Sequence, residues 1–321
     1  MSVVPHKTGF YTHADCRKHE MGAGHPECPE RIDAIEDRLL ISGVGDALDR
    51  RLAHVANIRD LQLAHDRLHI ASIRGLTDCL RDDVEAGGPT HAQLDSDTSI
   101  NVHTYSAALR SAGAAIAATD AVIRGELENA FCATRPPGHH ACRGKAMGFC
   151  FFNNVAIAAR YALERHGLER VAIVDFDVHH GNGTEDIVAG DERILMVSFF
   201  QHPFYPEGGS VSNAGNLVNV PVPAYTKGPQ IREIVEAQWL PRLDAFKPQM
   251  IFISAGFDAH REDDMGQMGL VEQDYAWMTD RLKAMAVKHS QGRIVSCLEG
   301  GYDLGALARS VEAHIRVLAD I

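Results

Sequence analysis

Residues 170–183 read RVAIVDFDVHHGNG. Val171, Ala172, Ile173 and Val174 form an unbroken apolar run that ends in two aspartates, two histidines and two glycines. A strand with one wet face alternates polar and apolar residues. A run apolar at every position belongs to a strand covered on both faces, as in parallel sheets. Four further runs are nearly continuous in the same way: RILMVSFF (193–200), LVNVPV (217–222), QMIFISAGFD (249–258) and GRIVSCLEGGY (292–302). Between and before them lie helical patterns. ERIDAIEDRLLISGV (30–44) spaces Ile32, Ile35, Leu39 and Leu40 as a helix does, SAALRSAGAAIAATDAVIRG (106–125) is alanine-rich, and AIAARYALERHG (156–167) ends on Gly167, a C-cap residue. Strands alternating with helices predict an α/β fold with a parallel sheet, and ligands of such sheets sit beyond the carboxyl ends of the strands.

That rule directs attention to the polar residues ending each run: Asp175, Asp177 and His179 after VAIV, Asp258 after IFISAGF, and Tyr302 after SCLEGG. Asp177 and His179 are two apart, so at a strand end they point to one side. With Asp258 they offer two carboxylates and an imidazole and leave a position open, the pattern of a catalytic rather than a structural zinc site. Iron(II), cobalt or manganese fit the same donors. A metal of this kind activates water for hydrolysis, which calls for a base titrating near neutrality. The pair His139–His140, in RPPGHHACRGKAMGFCFFNN (135–154), supplies one, with Asp175 as the carboxylate that holds a tautomer. Tyr302, after two glycines that permit close backbone approach, offers a hydroxyl to a developing oxyanion.

Composition narrows the classes. The 321 residues carry 31 Lys and Arg against 43 Asp and Glu, a net charge of −12, which argues against a nucleic-acid partner or an anionic membrane surface. Seven cysteines without a CxxC argue against a disulfide framework or zinc ribbon, and read as reduced, buried thiols. No signal peptide and no membrane-length apolar run is present, so a cytoplasmic protein is expected. No repeat or linker divides the chain, and one domain over 1–321 is expected.

The segments RPPGHHA, AMGFCFFNN, DFDVHHGNGT, GFDAH and LEGGY resemble the zinc-dependent histone deacetylase superfamily, in its class II branch and bacterial relatives. The resemblance runs from HPECPERI (25–32) to Tyr302. It implies an arginase-like three-layer αβα fold with a mainly parallel central sheet, and hydrolysis of an N-acyl amide such as acetyl-lysine or an acetylpolyamine. By position, Asp177, His179 and Asp258 match the zinc ligands, and His140 the general base and then acid. His139, backed by Asp175, matches its electrostatic partner, and Tyr302 the carbonyl-polarising tyrosine. Gly148 and Phe149 match the substrate tunnel, with Phe200 as its opposite wall. Asp175 and Ser198, with the backbone carbonyls of Asp177, His179 and Phe199, match a structural potassium site, and a second monovalent-ion site is implied around Val188, Asp191 and Ile194.

Departures from the pattern sharpen the expectation. Asn182 stands where class I relatives carry an aspartate behind the second histidine. Met265 stands where a polyamine-selective relative carries a glutamate, which disfavours polyamines and favours acyl-lysine or a similar acylated amine. The acidic loop Glu262–Asp263–Asp264 reads as solvated, with recognition of a cation as the alternative. An arginase-type two-metal site needs more carboxylates, and position 260 is His. A catalytically inert acyl-lysine reader is the non-enzyme rival, and a homo-oligomer is compatible with the sequence.

Overall fold

The structure is a computed structural model and describes residues 7–206 and 214–321. Ten strands are described: β1 (Thr8–Thr12), β2 (Leu48–Leu52), β3 (His91–Gln93), β4 (Ser99–Asn101), β5 (Asn129–Cys132), β6 (Val171–Asp175), β7 (Ile194–Gln201), β8 (Leu217–Val222), β9 (Ile251–Ala255) and β10 (Ile294–Leu298). Eight of them form one sheet in the order β2-β1-β5-β10-β9-β6-β7-β8, with every neighbouring pair parallel. Only β3 and β4 pair antiparallel, apart from the main sheet.

The central strands are buried at every position, as their unbroken apolar runs require. β8 is the exception. It is an edge strand buried only at its ends, Leu217 and Val222, and accommodates Pro221, which cannot donate to a ladder.

Helices cover both faces. One layer holds α1 (Glu30–Ile41), α7 (Gly228–Ile234), α8 (Leu240–Phe246), α9 (Glu272–His289) and α10 (Leu304–Ala319) over a core including Ile32, Ile231, Leu243, Leu282 and Ile315. The other holds α2 (Ile58–Leu61), α3 (Arg67–Glu85), α4 (Thr104–Ile123), α5 (Asn154–His166) and α6 (Asn182–Val188) over a core including Ile73, Ala115, Ile157 and Ile187. The three-layer αβα architecture expected from the sequence is therefore present. Gly167 caps α5 with φ 69°, a left-handed conformation that glycine adopts freely.

α1 forms as its spacing predicts, and Ile32, Ile35 and Leu39 are buried. Leu40 is 75% exposed, because one further residue turns about 100° off that stripe. Four of the seven cysteines are buried, Cys28 and Cys142 are partly so, Cys79 is exposed, and all seven are free thiols. No helix among the described residues is long and apolar enough to cross a membrane.

Candidate active site

Because the sheet is parallel, all strand ends of one sense share an edge, and the polar residues gather at the carboxyl edge. The loop after β5 carries His139 and His140, that after β10 carries Tyr302, that after β9 carries Asp258, and that after β6 carries Asp177 and His179. These strands are consecutive in the sheet, β5-β10-β9-β6. Four loops far apart in sequence thus meet over a few ångströms.

Asp177, His179 and Asp258 form a buried cluster whose ligand atoms lie within 4.8 Å of one another. His179 Nδ1 is 3.0 Å from Asp177 Oδ1 and 3.2 Å from Asp258 Oδ2. Asp258 Oδ1 accepts the Val178 N–H at 2.9 Å, but Oδ2 is buried without a hydrogen-bond partner. A buried carboxylate oxygen left this way costs free energy unless a cation meets it. The surrounding glycines leave the room: a Cβ on Gly300 would lie 1.9 Å from Asp258 Oδ2, and one on Gly256 would lie 2.0 Å from Asp177 Oδ2. Donor set, orphaned oxygen and cradle all fit a divalent metal. Burial lowers the His179 pKa, but Asp177 and Asp258 outweigh it and hold the imidazole near about 10, a measure of the negative field there. Burial and the neighbouring Asp177 raise Asp258 to about 7, so two carboxylates share this site only with positive charge between them.

The adjacent histidines have opposite environments. His139 Nδ1 donates to Asp175 Oδ2 at 3.0 Å, and its Nε2 lies 3.7 Å from Asp177 Oδ2. Burial lowers its pKa, yet Asp177 and Asp175 drive it well above the usual histidine value. His140 is also buried, and burial together with the nearby His139 and His179 drives its pKa well below that value. Its Nδ1 faces Asn182 Oδ1 at 2.8 Å. The Asn182 amide nitrogen points instead toward the sulfurs of Cys142 and Met147, each at 3.5 Å. An amide oxygen only accepts, so the neutral His140 ring carries its proton on Nδ1 and leaves an Nε2 lone pair. Beneath the pair, Glu299 Oε2 accepts the N–H groups of Gly138 (2.6 Å) and His139 (3.1 Å).

Above this floor lies a cavity of about 240 Å³ lined by His140, His179 and Tyr302 below and by Gly148, Phe149, Phe204, Tyr205 and Met265, with Asp97 and Asp264. Gly148 has φ 56°, and a Cβ there would meet the His140 ring at 2.5 Å, so glycine is needed on both counts. Phe149 follows with φ 67°, which a phenylalanine rarely adopts. That turn sets its ring edge-on to His25 (4.7 Å) and Tyr302 (5.9 Å). The Tyr302 ring lies under the Arg31 guanidinium at 4.9 Å, and burial pushes its pKa well above the ordinary tyrosine value, so it is a protonated donor.

The structure brings together the expected Asp175, Asp177, His179, Asp258, His139, His140, Asn182, Tyr302, Gly148, Phe149 and Met265. Phe200 it does not. Phe200 lies within β7, 2% exposed, with its ring 4.4 Å from His180, and does not line the cavity. The opposite wall is Phe204, whose ring stacks on His179 at 5.4 Å and 16°. Phe204 belongs to QHPFYP (201–206), which follows β7. The strand-end rule that located Asp177 points there too.

Asp175 and Ser198 are register partners on β6 and β7, and the Ser198 hydroxyl donates to Asn219 at 2.9 Å. The second implied ion site is different. The carbonyls of Val188, Asp191 and Ile194 do converge, but on the Asn216 side-chain nitrogen, at 2.9, 3.2 and 2.8 Å. Asn216 Oδ1 accepts the Gly190 N–H at 2.9 Å, which fixes the amide's orientation. The amide stands where the cation was expected.

A family model described as "Histone deacetylase domain" matches residues 25–318. A probable deacetylase of Archaeoglobus fulgidus is 38% identical over 309 residues, covering 94% of this chain and 83% of the relative. A histone deacetylase-like amidohydrolase of Pseudomonas aeruginosa is 38% identical over 287 residues, covering 87% of this chain and 73% of the relative. The crystal structure of the HDA15 HD domain superposes with a TM-score of 0.88 at 33% identity, covering 98% of this chain and 90% of that one.

Proposed function

We propose, since the chain belongs to the histone deacetylase family, that it is a metal-dependent hydrolase removing the acyl group from N6-acetyl-lysine or a similar acylated amine. The reading rests on one observation above all: an apolar cleft between Phe149 and Phe204 that opens onto a floor holding His140, His179 and Tyr302. An aliphatic side chain fits such walls, and its polar acyl amide then meets the polar floor. Zinc held by Asp177, His179 and Asp258, with iron(II) or cobalt as substitutes, would supply Lewis-acid polarisation of the carbonyl and acidify water there.

The chain's own groups do the rest. His140 Nε2 accepts the proton of the attacking water and returns it to the leaving amine, which needs a ring neutral at rest. His139, cationic between Asp175 and Asp177, keeps positive charge under the reacting centre and depresses His140 further. Tyr302 donates its hydroxyl proton to the carbonyl oxygen as negative charge develops. Phe149, Phe204 and Met265 exclude water from the chain that carries the amide. A structural potassium ion at Asp175 and Ser198 belongs to the same proposal, as does a single catalytic domain over 1–321 acting in the cytoplasm, as monomer or homo-oligomer.

Asp97 and Asp264 at the cavity favour a second reading, an acylated polyamine whose free ammonium meets them. A panel of acetyl-lysine peptides and acetylated polyamines separates the two by kcat/KM. Tyr302→Phe should lower kcat on the preferred substrate by about 10²–10³ with metal content unchanged. Undiminished turnover in that variant would contradict the mechanism.

A further inference from the structure

Glu262, Asp263 and Asp264 are consecutive acids in different surroundings. Glu262 is exposed and pairs with Arg309, and Asp264 is exposed beside the cleft. Asp263 is 4% exposed, so the expected solvated loop is solvated only on either side of it. Its Oδ2 accepts the backbone N–H groups of Tyr302 (2.6 Å) and Asp303 (3.0 Å), and its Oδ1 accepts that of Met265 (2.9 Å). One carboxylate therefore holds the residue whose phenol faces the substrate and the residue that forms a wall of the cleft.

The turn it holds has little stiffness of its own. Tyr302 follows Gly300 and Gly301, the latter at φ 118°, and glycines give a turn conformational freedom. The entry to the turn is held by Asp177 Oδ2 on the Gly300 N–H (2.9 Å) and by Arg31 Nε on the Gly301 carbonyl (2.6 Å). The exit is held by Asp303, which caps α10 by accepting the Ala306 N–H. Between them, the backbone of Tyr302 itself is held through its N–H by Asp263. A phenol that must meet an oxyanion gains rate from such placement, and a misplacement of about 1 Å costs roughly a hundredfold.

We propose that Asp263 is a positioning residue for Tyr302, fixing the backbone that projects the phenol and coupling its placement to the Met265 wall. This rests on the reading of Tyr302 as the oxyanion donor. The test is a double-mutant cycle on the N-acyl amide that the wild type turns over fastest. Asp263→Asn keeps the size and loses the charge and one acceptor. It should lower kcat by about ten- to a hundredfold, with KM within about twofold and metal content unchanged. Added to Tyr302→Phe it should lower kcat by less than about twofold more, because the hydroxyl it positions is already gone.

Losses that multiply in the double variant, or full kcat in Asp263→Asn, would overturn the proposal. Tyr302→Phe with wild-type kcat would overturn the oxyanion reading and the proposal with it. A substrate-independent readout judges the hold alone. In Asp263→Ala, amide hydrogen exchange over residues 300–304 should quicken while the central strands keep their protection. Unchanged exchange there would overturn the proposal even if the enzyme reading stands.

Discussion

In the proposed mechanism, what surrounds each nitrogen of His140 suits it to act as the base. Asn182 accepts from Nδ1, and burial, together with the nearby His139 and His179, disfavours a second proton. Asn182→Asp places a carboxylate against Nδ1, which stabilises the imidazolium and raises the pKa. A base protonated up to higher pH loses activity there, so the acidic limb of the kcat/KM profile should move to higher pH. A limb that stays put would separate that limb from His140. The roles of Phe200 and Phe204 divide by the same attention to neighbours. Phe204→Ala should raise KM by about tenfold with kcat little changed, from lost apolar contact, whereas Phe200→Ala should leave KM alone and lower the denaturation midpoint by opening a cavity beneath His180. The sequence marked the carboxylates and histidines because ionisable residues at strand ends are seldom there for packing. It did not mark Phe204 over Phe200, since two aromatics four residues apart differ only in which side of the strand end they fall.

At the scale of elements, parallel strands were legible as unbroken apolar runs, and with them the edge where the loops converge. Less legible was how those loops are tied to one another. Glu299 of the β10 end holds the His139 turn, Asp263 of the β9 loop holds the Tyr302 turn, and Asn216 ties the end of α6 to β7 and β8. Each tie joins a side chain to backbone groups distant in sequence, and backbone groups leave no trace in residue identity. Asn216 shows the consequence. The three carbonyls around it suit a cation, and only the fold reveals an amide among them. Asn216→Ala strands those carbonyls and the Gly190 N–H, and should lower stability by about 1–3 kcal/mol. Urea unfolding of the two proteins in matched buffer measures it.

Across the whole molecule, a buried ionic cluster joins the N-terminal loops to the sheet edge. Glu27 meets Arg135 through both oxygens, with Arg31 at 3.1 Å and His19 at 3.5 Å, and all four side chains are fully buried. Burial raises the Glu27 pKa, but Arg135, His19 and Arg31 outweigh it and hold the carboxyl well below the usual range. A folded pKa depressed in this way contributes stability that is present above the unfolded pKa of about 4.3 and lost as pH falls through the folded value. Glu27→Gln leaves two buried guanidiniums short of their partner and should cost about 3–5 kcal/mol at pH 7. Its deficit against the wild type should shrink as pH falls below about 4.3. A deficit independent of pH would contradict a charged Glu27. The motif HPECPERI was visible in the sequence, but a glutamate and an arginine four apart read equally well as a surface helix pair.

The claim on which these scales converge is that Asp177, His179 and Asp258 hold a metal on which amide hydrolysis depends. Its most direct test is turnover of an acetyl-lysine peptide by one preparation before chelation, after chelation, and after zinc is restored. The account predicts that activity is abolished by the chelator and returns at one zinc per chain. Turnover that survives complete removal of the metal would contradict it.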